Sequence, residues 1–327
     1  MTALAVVGAG AWGTALAQAM ADRAEVLIWA READVVSAIN QSHENPLFLP
    51  GVKLSGRIRA TGDLADLAGL PLWLVVPPAQ HLGRVLAAAP LAHAPRLVLC
   101  AKGIEAGTHR LMAEVAAAVA PASPLAVLSG PSFAGDVARG LPTAVTLAAS
   151  TLAEAQALAE TLARPAFRPY ASDDVIGAEI GGAVKNVLAI ACGVVVGAKL
   201  GESARAALVA RGFAEMTRFA VARGARAETL AGLSGLGDLV LTCGSPQSRN
   251  MALGIALGEG RSAAEALSGR LAVAEGATTA PVLVEAAAAL GVDMPICRAV
   301  ASLLAGDATV EAVIDRLLNR PLRSEGL

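Results

Sequence analysis

One lysine interrupts the most apolar stretch of the chain. In Gly181-Gly182-Ala183-Val184-Lys185-Asn186-Val187-Leu188-Ala189, a single ammonium group stands inside a helical pattern of small and aliphatic residues. Burial disfavours the charged form of a lysine and draws its pKa toward neutrality, where it can donate and accept a proton. The plainer alternative is a side chain that reaches solvent from a helix edge. Asp238 and Thr242 follow in Gly235-Leu236-Gly237-Asp238-Leu239-Val240-Leu241-Thr242, four residues apart and so on one helical face, where together they can orient an ammonium. Asp238 also suits a simple N-cap. Ser248-Arg249-Asn250 puts a hydroxyl, a guanidinium and an amide at a helix start, a set that holds a phosphate, with capping by Ser248 as the ordinary alternative.

Two further candidates follow apolar runs, where open α/β sheets bind ligands. Lys102 lies in Cys100-Ala101-Lys102-Gly103-Ile104-Glu105, and Ser132 in Ser129-Gly130-Pro131-Ser132-Phe133-Ala134. Ser132 is not read as a nucleophile, because none of His43, His81, His93 and His109 falls in a partner motif. The N-terminal run Leu4-Ala5-Val6-Val7 leads into Gly8-Ala9-Gly10-Ala11-Trp12-Gly13 and then a helical pattern. That is G-x-G-x-x-G between a strand and a helix, the setting in which it cradles a dinucleotide pyrophosphate. About 20 residues on, where an acidic residue would bond a ribose 2′-hydroxyl, the chain reads Trp29-Ala30-Arg31-Glu32. Arg31 favours a 2′-phosphate and hence NADP(H); Glu32, if turned inward, favours NAD(H).

These groups need elements to hold them. Apolar runs at Leu4–Val7, Val26–Trp29, Leu72–Val76, Leu97–Cys100, Leu125–Leu128 and Thr143–Leu147 alternate with helical patterns, as in parallel β-α-β units. Between the second and third, Asn45-Pro46-Leu47-Phe48-Leu49-Pro50-Gly51 reads as a loop or short lid. Beyond Asp173-Asp174 the periodicity is helical, with starts near Asp174, Ala204, Ser248, Ser262, Thr279, Ile296 and Thr309. The expectation is an α/β fold: a Rossmann-like doubly wound domain over 1–175 and an all-α domain over 176–327.

Of 327 residues, 26 are basic and 28 acidic, and 55% are hydrophobic. A net charge of -2 gives no broad field for nucleic acid or an anionic membrane, so anion recognition must be local. Cys100, Cys192, Cys243 and Cys297 form neither a C-x-x-C pair nor a zinc pattern and read as reduced thiols, and no metal site is expected. The run Ile180–Ala198 has the length of a membrane span, but Lys185, Asn186 and four glycines suit a dense core better. No targeting segment is recognised, so a cytoplasmic place is expected.

Taken in order, Gly8–Gly13 with Trp12, Lys102-Gly103-Ile104-Glu105, Gly130-Pro131-Ser132-Phe133-Ala134, Lys185-Asn186, Gly235-Leu236-Gly237-Asp238-Leu239 and Ser248-Arg249-Asn250 resemble the bacterial glycerol-3-phosphate dehydrogenase family. Asn45–Gly51, Arg211-Gly212 and Glu275-Gly276 extend the resemblance over almost the whole chain. It implies NAD(P)-linked reduction of dihydroxyacetone phosphate to sn-glycerol 3-phosphate, which supplies glycerophospholipid synthesis. By the same resemblance Lys185 exchanges the proton, supported by Lys102, Asp238 and Thr242. Gly8, Gly10, Ala11, Trp12, Gly13, Arg31, Lys102, Ala134, Arg249, Val273 and Glu275 are implied cofactor contacts. Lys102, Gly130, Ser132, Lys185, Asp238, Ser248, Arg249 and Asn250 are implied on the substrate side.

Two positions depart from the family: Ala11 where serine is common, and Ser203 where asparagine is usual. The lost hydroxyl at position 11 is worth on the order of 1 kcal/mol. Alternatives left open are another two-domain reductase, acting on 3-hydroxy acids or ketopantoate, and a non-catalytic dinucleotide sensor. The small-residue helices suggest a homodimer.

Overall fold

The computed structural model describes residues 2–268 and 274–321. They divide into two compact units, Met1–Ala101 with Arg110–Ala178, and Lys102–His109 with Glu179–Leu327. The second unit is therefore discontinuous in sequence.

The first unit is built on eight strands: β1 (Thr2–Val7), β2 (Ala24–Trp29), β3 (Ile58–Thr61), β4 (Leu72–Val75), β5 (Arg96–Leu99), β6 (Leu125–Ser129), β7 (Thr143–Ala149) and β8 (Phe167–Ser172). They form one sheet in the order β3-β2-β1-β4-β5-β6-β7-β8. Every pair is parallel except β6 with β7. The period-2 alternation of a strand sends Leu4 and Val6 to one core, with Ile28, Leu74 and Val98, and Ala5 and Val7 to another, with Trp73, Val75 and Leu99. A sheet buried on both faces needs continuous apolar strands, which is why these runs read so plainly. Around the sheet are α1 (Ala11–Met20), α2 (Ala33–Ser42), α3 (Ala79–Ala87), α4 (Met112–Val119), α5 (Ala134–Ala138) and α6 (Leu152–Leu162).

β3 and β8 are additions to the six expected strands, and they are the two edges of the sheet. The segment Asn45–Gly51 is a turn, not a helix, and it is anchored. Asn45 is fully buried and donates from Nδ2 to the Ala9 carbonyl at 2.9 Å and the Thr14 hydroxyl at 2.8 Å, while its Oδ1 accepts from Phe48 N–H at 3.2 Å. One amide thus ties the turn to the glycine loop.

The long α7 (Val175–Gly197) begins in the first unit, where the Asp174 carboxylate accepts from Gly177 N–H at 2.8 Å, and continues into the second. Of its most apolar window 89% is buried, so this surface faces protein and not lipid. The second unit continues with α8 (Glu202–Ala222), α9 (Ala227–Leu230), α10 (Asp238–Gly244), α11 (Arg249–Gly258), α12 (Ala263–Leu267), α13 (Glu275–Ala289), α14 (Pro295–Ala305) and α15 (Val310–Leu318). Ser248, Ser262 and Thr309 are N-caps whose hydroxyls accept from the helices that follow. The start expected at Thr279 lies one turn earlier, at Glu275.

Glycines set how closely α7 and α11 approach. A Cβ on Gly193 would lie 2.2 Å from the Met251 carbonyl oxygen, one on Gly197 2.2 Å from that of Ile255, one on Gly254 2.0 Å from that of Ile190, and one on Gly258 2.4 Å from that of Val194. Two Gly-x-x-x-Gly stripes therefore face each other with backbone in contact. The dense core packing expected of the α7 glycines is thus what they do, at α11 of the same chain.

Candidate functional site

In the second unit Lys102, Lys185, Asp238 and Thr242 converge. Lys185 Nζ donates to Asp238 Oδ1 at 2.7 Å and to Thr242 Oγ1 at 2.9 Å. Lys102 Nζ donates to the other carboxylate oxygen, Oδ2, at 2.7 Å. Thr242 Oγ1 lies 3.2 Å from Asp238 Oδ1. Asp238 is 1% exposed, and the Lys185 and Lys102 side chains 10% and 16%. One carboxylate is thus shared by two ammonium groups, a pair of cations suited to an oxygen on which negative charge develops.

Burial lowers the Lys185 pKa most, and the neighbouring Lys102 charge lowers it further; Asp238 opposes both, and the result is about 8. Such an ammonium is charged at neutral pH and close to its release point. Burial pushes the Asp238 carboxyl up, but the two lysines outweigh it and hold the group below the usual carboxylate range.

The local fold explains the convergence. A Cβ on Gly181 would sit 2.4 Å from the Ser234 carbonyl oxygen, and one on Gly235 2.0 Å from that of Leu230. Leu233–Gly237 forms a single π turn leading into α10. Widened turns of this kind often mark functional positions. Lys185 is one helical turn beyond Gly181, and Asp238 three residues beyond Gly235. Backbone contact at the glycines thus fixes the span that the lysine crosses. Lys102 enters on the Lys102–His109 segment, held by the Glu285 carboxylate 3.1 Å from the His109 imidazole and by Arg223, whose guanidinium donates to the His109 carbonyl at 3.4 Å.

At the start of α11, the Ser248 hydroxyl accepts from Met251 N–H at 3.2 Å, so the capping reading holds for that side chain. Arg249 is exposed at the first helical position. Asn250 is 7% exposed and its side chain turns inward: Nδ2 donates to Asn186 Oδ1 at 2.9 Å, and Oδ1 accepts from Gly276 N–H at 3.0 Å. This network joins α7, α11 and the start of α13, where Glu275 is the first residue. Asn186 was not singled out for a role from sequence, although its place beside Lys185 points to it. Val273 lies outside the described residues.

In the first unit, the three glycines of the N-terminal loop differ in what they do. Gly8 has φ +108°, and a Cβ there would lie 3.3 Å from Pro77 N, just past the end of β4, where the strand order reverses. A Cβ on Gly13 would meet the Gly8 carbonyl oxygen at 1.9 Å, whereas Gly10 has nothing within 4 Å. Turn, open backbone and tight helix contact are the three requirements of a pyrophosphate cradle. The chain therefore fits a dinucleotide. Trp12 beside it carries a buried Nε1 with no hydrogen-bond partner in the described structure. Ala11 and Ala134 are the first residues of α1 and α5. Arg31 is largely exposed and donates from Nη2 to Glu32 at 2.8 Å, so the two cofactor-selecting candidates are paired with each other. A Cβ on Gly130, φ +150°, would lie 2.9 Å from Val145 Cα, and the Ser132 hydroxyl donates to the Gly130 carbonyl at 3.0 Å. All four cysteines are buried and unbridged.

Known proteins match this chain along its length. Residues 3–155 match the model for the NAD-dependent glycerol-3-phosphate dehydrogenase N-terminus, and 174–315 that for its C-terminus. A glycerol-3-phosphate dehydrogenase [NAD(P)+] of Erythrobacter litoralis is 62% identical, with 99% of this chain and 98% of the relative covered. Its counterpart in Caulobacter vibrioides is 58% identical, with 98% of each covered. The crystal structure of glycerol-3-phosphate dehydrogenase from Coxiella burnetii superposes with a TM-score of 0.92 at 38% identity, over 98% of this chain and 99% of that one. A ketopantoate reductase from Ralstonia eutropha, 19% identical with a TM-score of 0.59, shares the fold alone. The shared carboxylate between two lysines, the glycine cradle and these end-to-end matches agree, and the chain belongs to the NAD-dependent glycerol-3-phosphate dehydrogenase family.

Proposed function

We propose that the chain carries out its family's reaction, the reversible NAD(P)-linked reduction of dihydroxyacetone phosphate to sn-glycerol 3-phosphate, with Lys185 as the proton donor. When bound, the nicotinamide dinucleotide supplies the hydride to the ketone carbon. Lys185 Nζ gives a proton to the oxygen of that carbon as the C=O double bond becomes a single bond, and regains one from solvent; oxidation runs in reverse. Asp238 and Thr242 fix the ammonium, and Lys102 adds the second positive charge beside the developing alkoxide. The observation that carries this reading is the Lys185–Asp238–Lys102 arrangement.

In this proposal the first unit holds the cofactor, through Gly8, Gly10, Ala11, Trp12 and Gly13 with Ala134; Gly130 and Ser132 are proposed substrate contacts, as are Lys102, Lys185, Asp238 and Ser248. The Trp12 indole N–H supplies a donor to the cofactor. Arg249 and the backbone N–H groups at the start of α11 take the substrate phosphate. Since the Asn250 amide is engaged inward, its part is to hold that helix start against Asn186 and Glu275-Gly276. Arg31, with its side chain in solvent, favours NADPH over NADH; Arg31→Ala then weakens NADPH selectively. A homodimer belongs to the same proposal, supported by exposed Val221 and Val240, and light scattering measures it. Reduced, buried thiols favour a cytoplasmic setting.

Dihydroxyacetone phosphate-dependent oxidation of NADPH or NADH tests the reading. Lys185→Ala should depress turnover by orders of magnitude with cofactor affinity unchanged. Near-normal turnover in that variant refutes the assignment.

A further inference from the structure

Among the described residues, α14 and α15 line a small half-open depression of about 110 Å³, distant in sequence from every residue assigned above. Arg298 and Ser302, four apart on α14, share a face; Val313, Arg316 and Leu317 on α15, with Arg320 just beyond it, supply the other wall. Three guanidinium groups line the space, and no acidic side chain does.

Their partners leave charge unspent. Asp293 takes Arg298 on Oδ1 and Arg320 on Oδ2, the latter at 2.7 Å. Although partial burial acts to raise it, these two arginines hold the Asp293 carboxyl below its usual range. Arg316 has no carboxylate partner among the described residues; its Nε donates to the Ala312 carbonyl at 3.3 Å. Among the described residues, three cations against the one anion that pairs with them leave a charge of about two beside a space large enough for one tetrahedral oxyanion. Planar guanidinium groups with several N–H donors are the side chains best matched to phosphate geometry. Ion pairing with Asp293 accounts for Arg298 and Arg320, while Arg316 lines the same space and has no carboxylate partner among the described residues.

We propose that this depression is an anion site for a phosphate group, free or as the end of a small phosphomonoester, separate from the substrate phosphate position at Arg249. The hydroxyl of Ser302 adds a further donor, and Val313 and Leu317 line the depression on the α15 side. Because the site is made only from residues of α14, α15 and their flanks, it does not depend on the catalytic reading.

Calorimetric titration of the full chain with inorganic phosphate, and separately with sn-glycerol 3-phosphate, tests it. Wild type, Arg249→Ala, Arg316→Ala/Arg320→Ala and the charge reversal Arg316→Glu are compared at equal, low ionic strength. The expected result is a phosphate-binding event that survives Arg249→Ala and is weakened about tenfold or more by the double substitution and by Arg316→Glu. Free phosphate binding as well as the ester does identifies the phosphate alone as the ligand; an event seen only with the ester identifies the phosphomonoester. Arg316 and the half-buried Arg320 lie outside the core, and a cooperative melt confirms folding of each variant. Titrations of both α15 variants that match wild type, or the absence of any event in Arg249→Ala with either ligand, overturn the proposal.

Discussion

Replacing Gly181 by alanine adds one methyl group and no charge, yet it should strike the active lysine. The new Cβ would sit 2.4 Å from the Ser234 carbonyl oxygen, while ordinary contact begins near 3.4 Å. The contacted atom is backbone in a π turn that is itself tight at Gly235, so no side chain can swing aside. Relief requires α7 and the start of α10 to part by about 1 Å, and the Lys185–Asp238 contact of 2.7 Å lies one helical turn away. Opening it by that much takes it past hydrogen-bond range. Misplacement on this scale costs about 10²-fold in turnover, and overpacking costs about 1–3 kcal/mol of stability. Steady-state turnover with dihydroxyacetone phosphate, alongside the dissociation constant for NADPH and a thermal melt, separates the two effects. Turnover should fall about a hundredfold with cofactor affinity unchanged, since the glycine cradle belongs to the other unit. A folded Gly181→Ala enzyme with turnover within twofold of wild type would refute the view that this glycine contact sets the lysine's position.

Other perturbations follow from the same geometry. The reduction rate, kcat/KM, should decline as pH rises through about 8, because Lys185 must be protonated to donate. Lys102→Met removes the like charge that lowers the Lys185 pKa, so a pH profile of the residual activity should show this limb displaced upward. Glu215 is 2% exposed and accepts from the N–H groups of Ile296 and Cys297. Burial, only partly offset by those bonds, raises its pKa from 4.5 to about 7. A carboxyl raised on folding contributes stability that is full below pH 4.5 and lost as pH rises through 7, on the order of 3 kcal/mol. Melting temperature should accordingly fall across that window, and Glu215→Gln should flatten the fall. Asn45→Ala should weaken dinucleotide binding about tenfold in a fluorescence titration, by releasing the Ala9 carbonyl and the Thr14 hydroxyl from their shared donor.

The strands legible in sequence are those covered on both faces and paired on both sides, whose apolar runs have no other use. β3 and β8 escaped because an edge strand tolerates what a central one cannot. Arg59 is exposed in the first, and Pro169 stands inside the second. Lys185 and Asp238 were legible as unusual residues, lysine in an apolar helix and aspartate between glycines and an apolar run. That Asp238 and Thr242 could orient an ammonium was readable from their spacing, but that the ammonium pairs with Asp238 across 53 residues and that Lys102 takes the second carboxylate oxygen was not, because nothing local states a contact so distant in sequence. The same holds for Asn250, whose residue type suggests ligand binding while its partners, Asn186 and Gly276, come from two other helices. Helix starts at Ser248, Ser262 and Thr309 were readable because a cap is a local bond.

That the second unit takes in Lys102–His109 has a consequence for taking the protein apart. Cutting before Glu179 yields a contiguous helical piece with Lys185, Asp238 and Thr242 but only one of the carboxylate's two ammonium partners. The charge that depresses the Lys185 pKa from beside it would be gone, so an isolated piece would hold its lysine more firmly protonated than the whole chain does. Any dissection or domain exchange that preserves the chemistry must carry eight residues from the middle of the other unit's sequence, and a simple fusion at one junction cannot supply them.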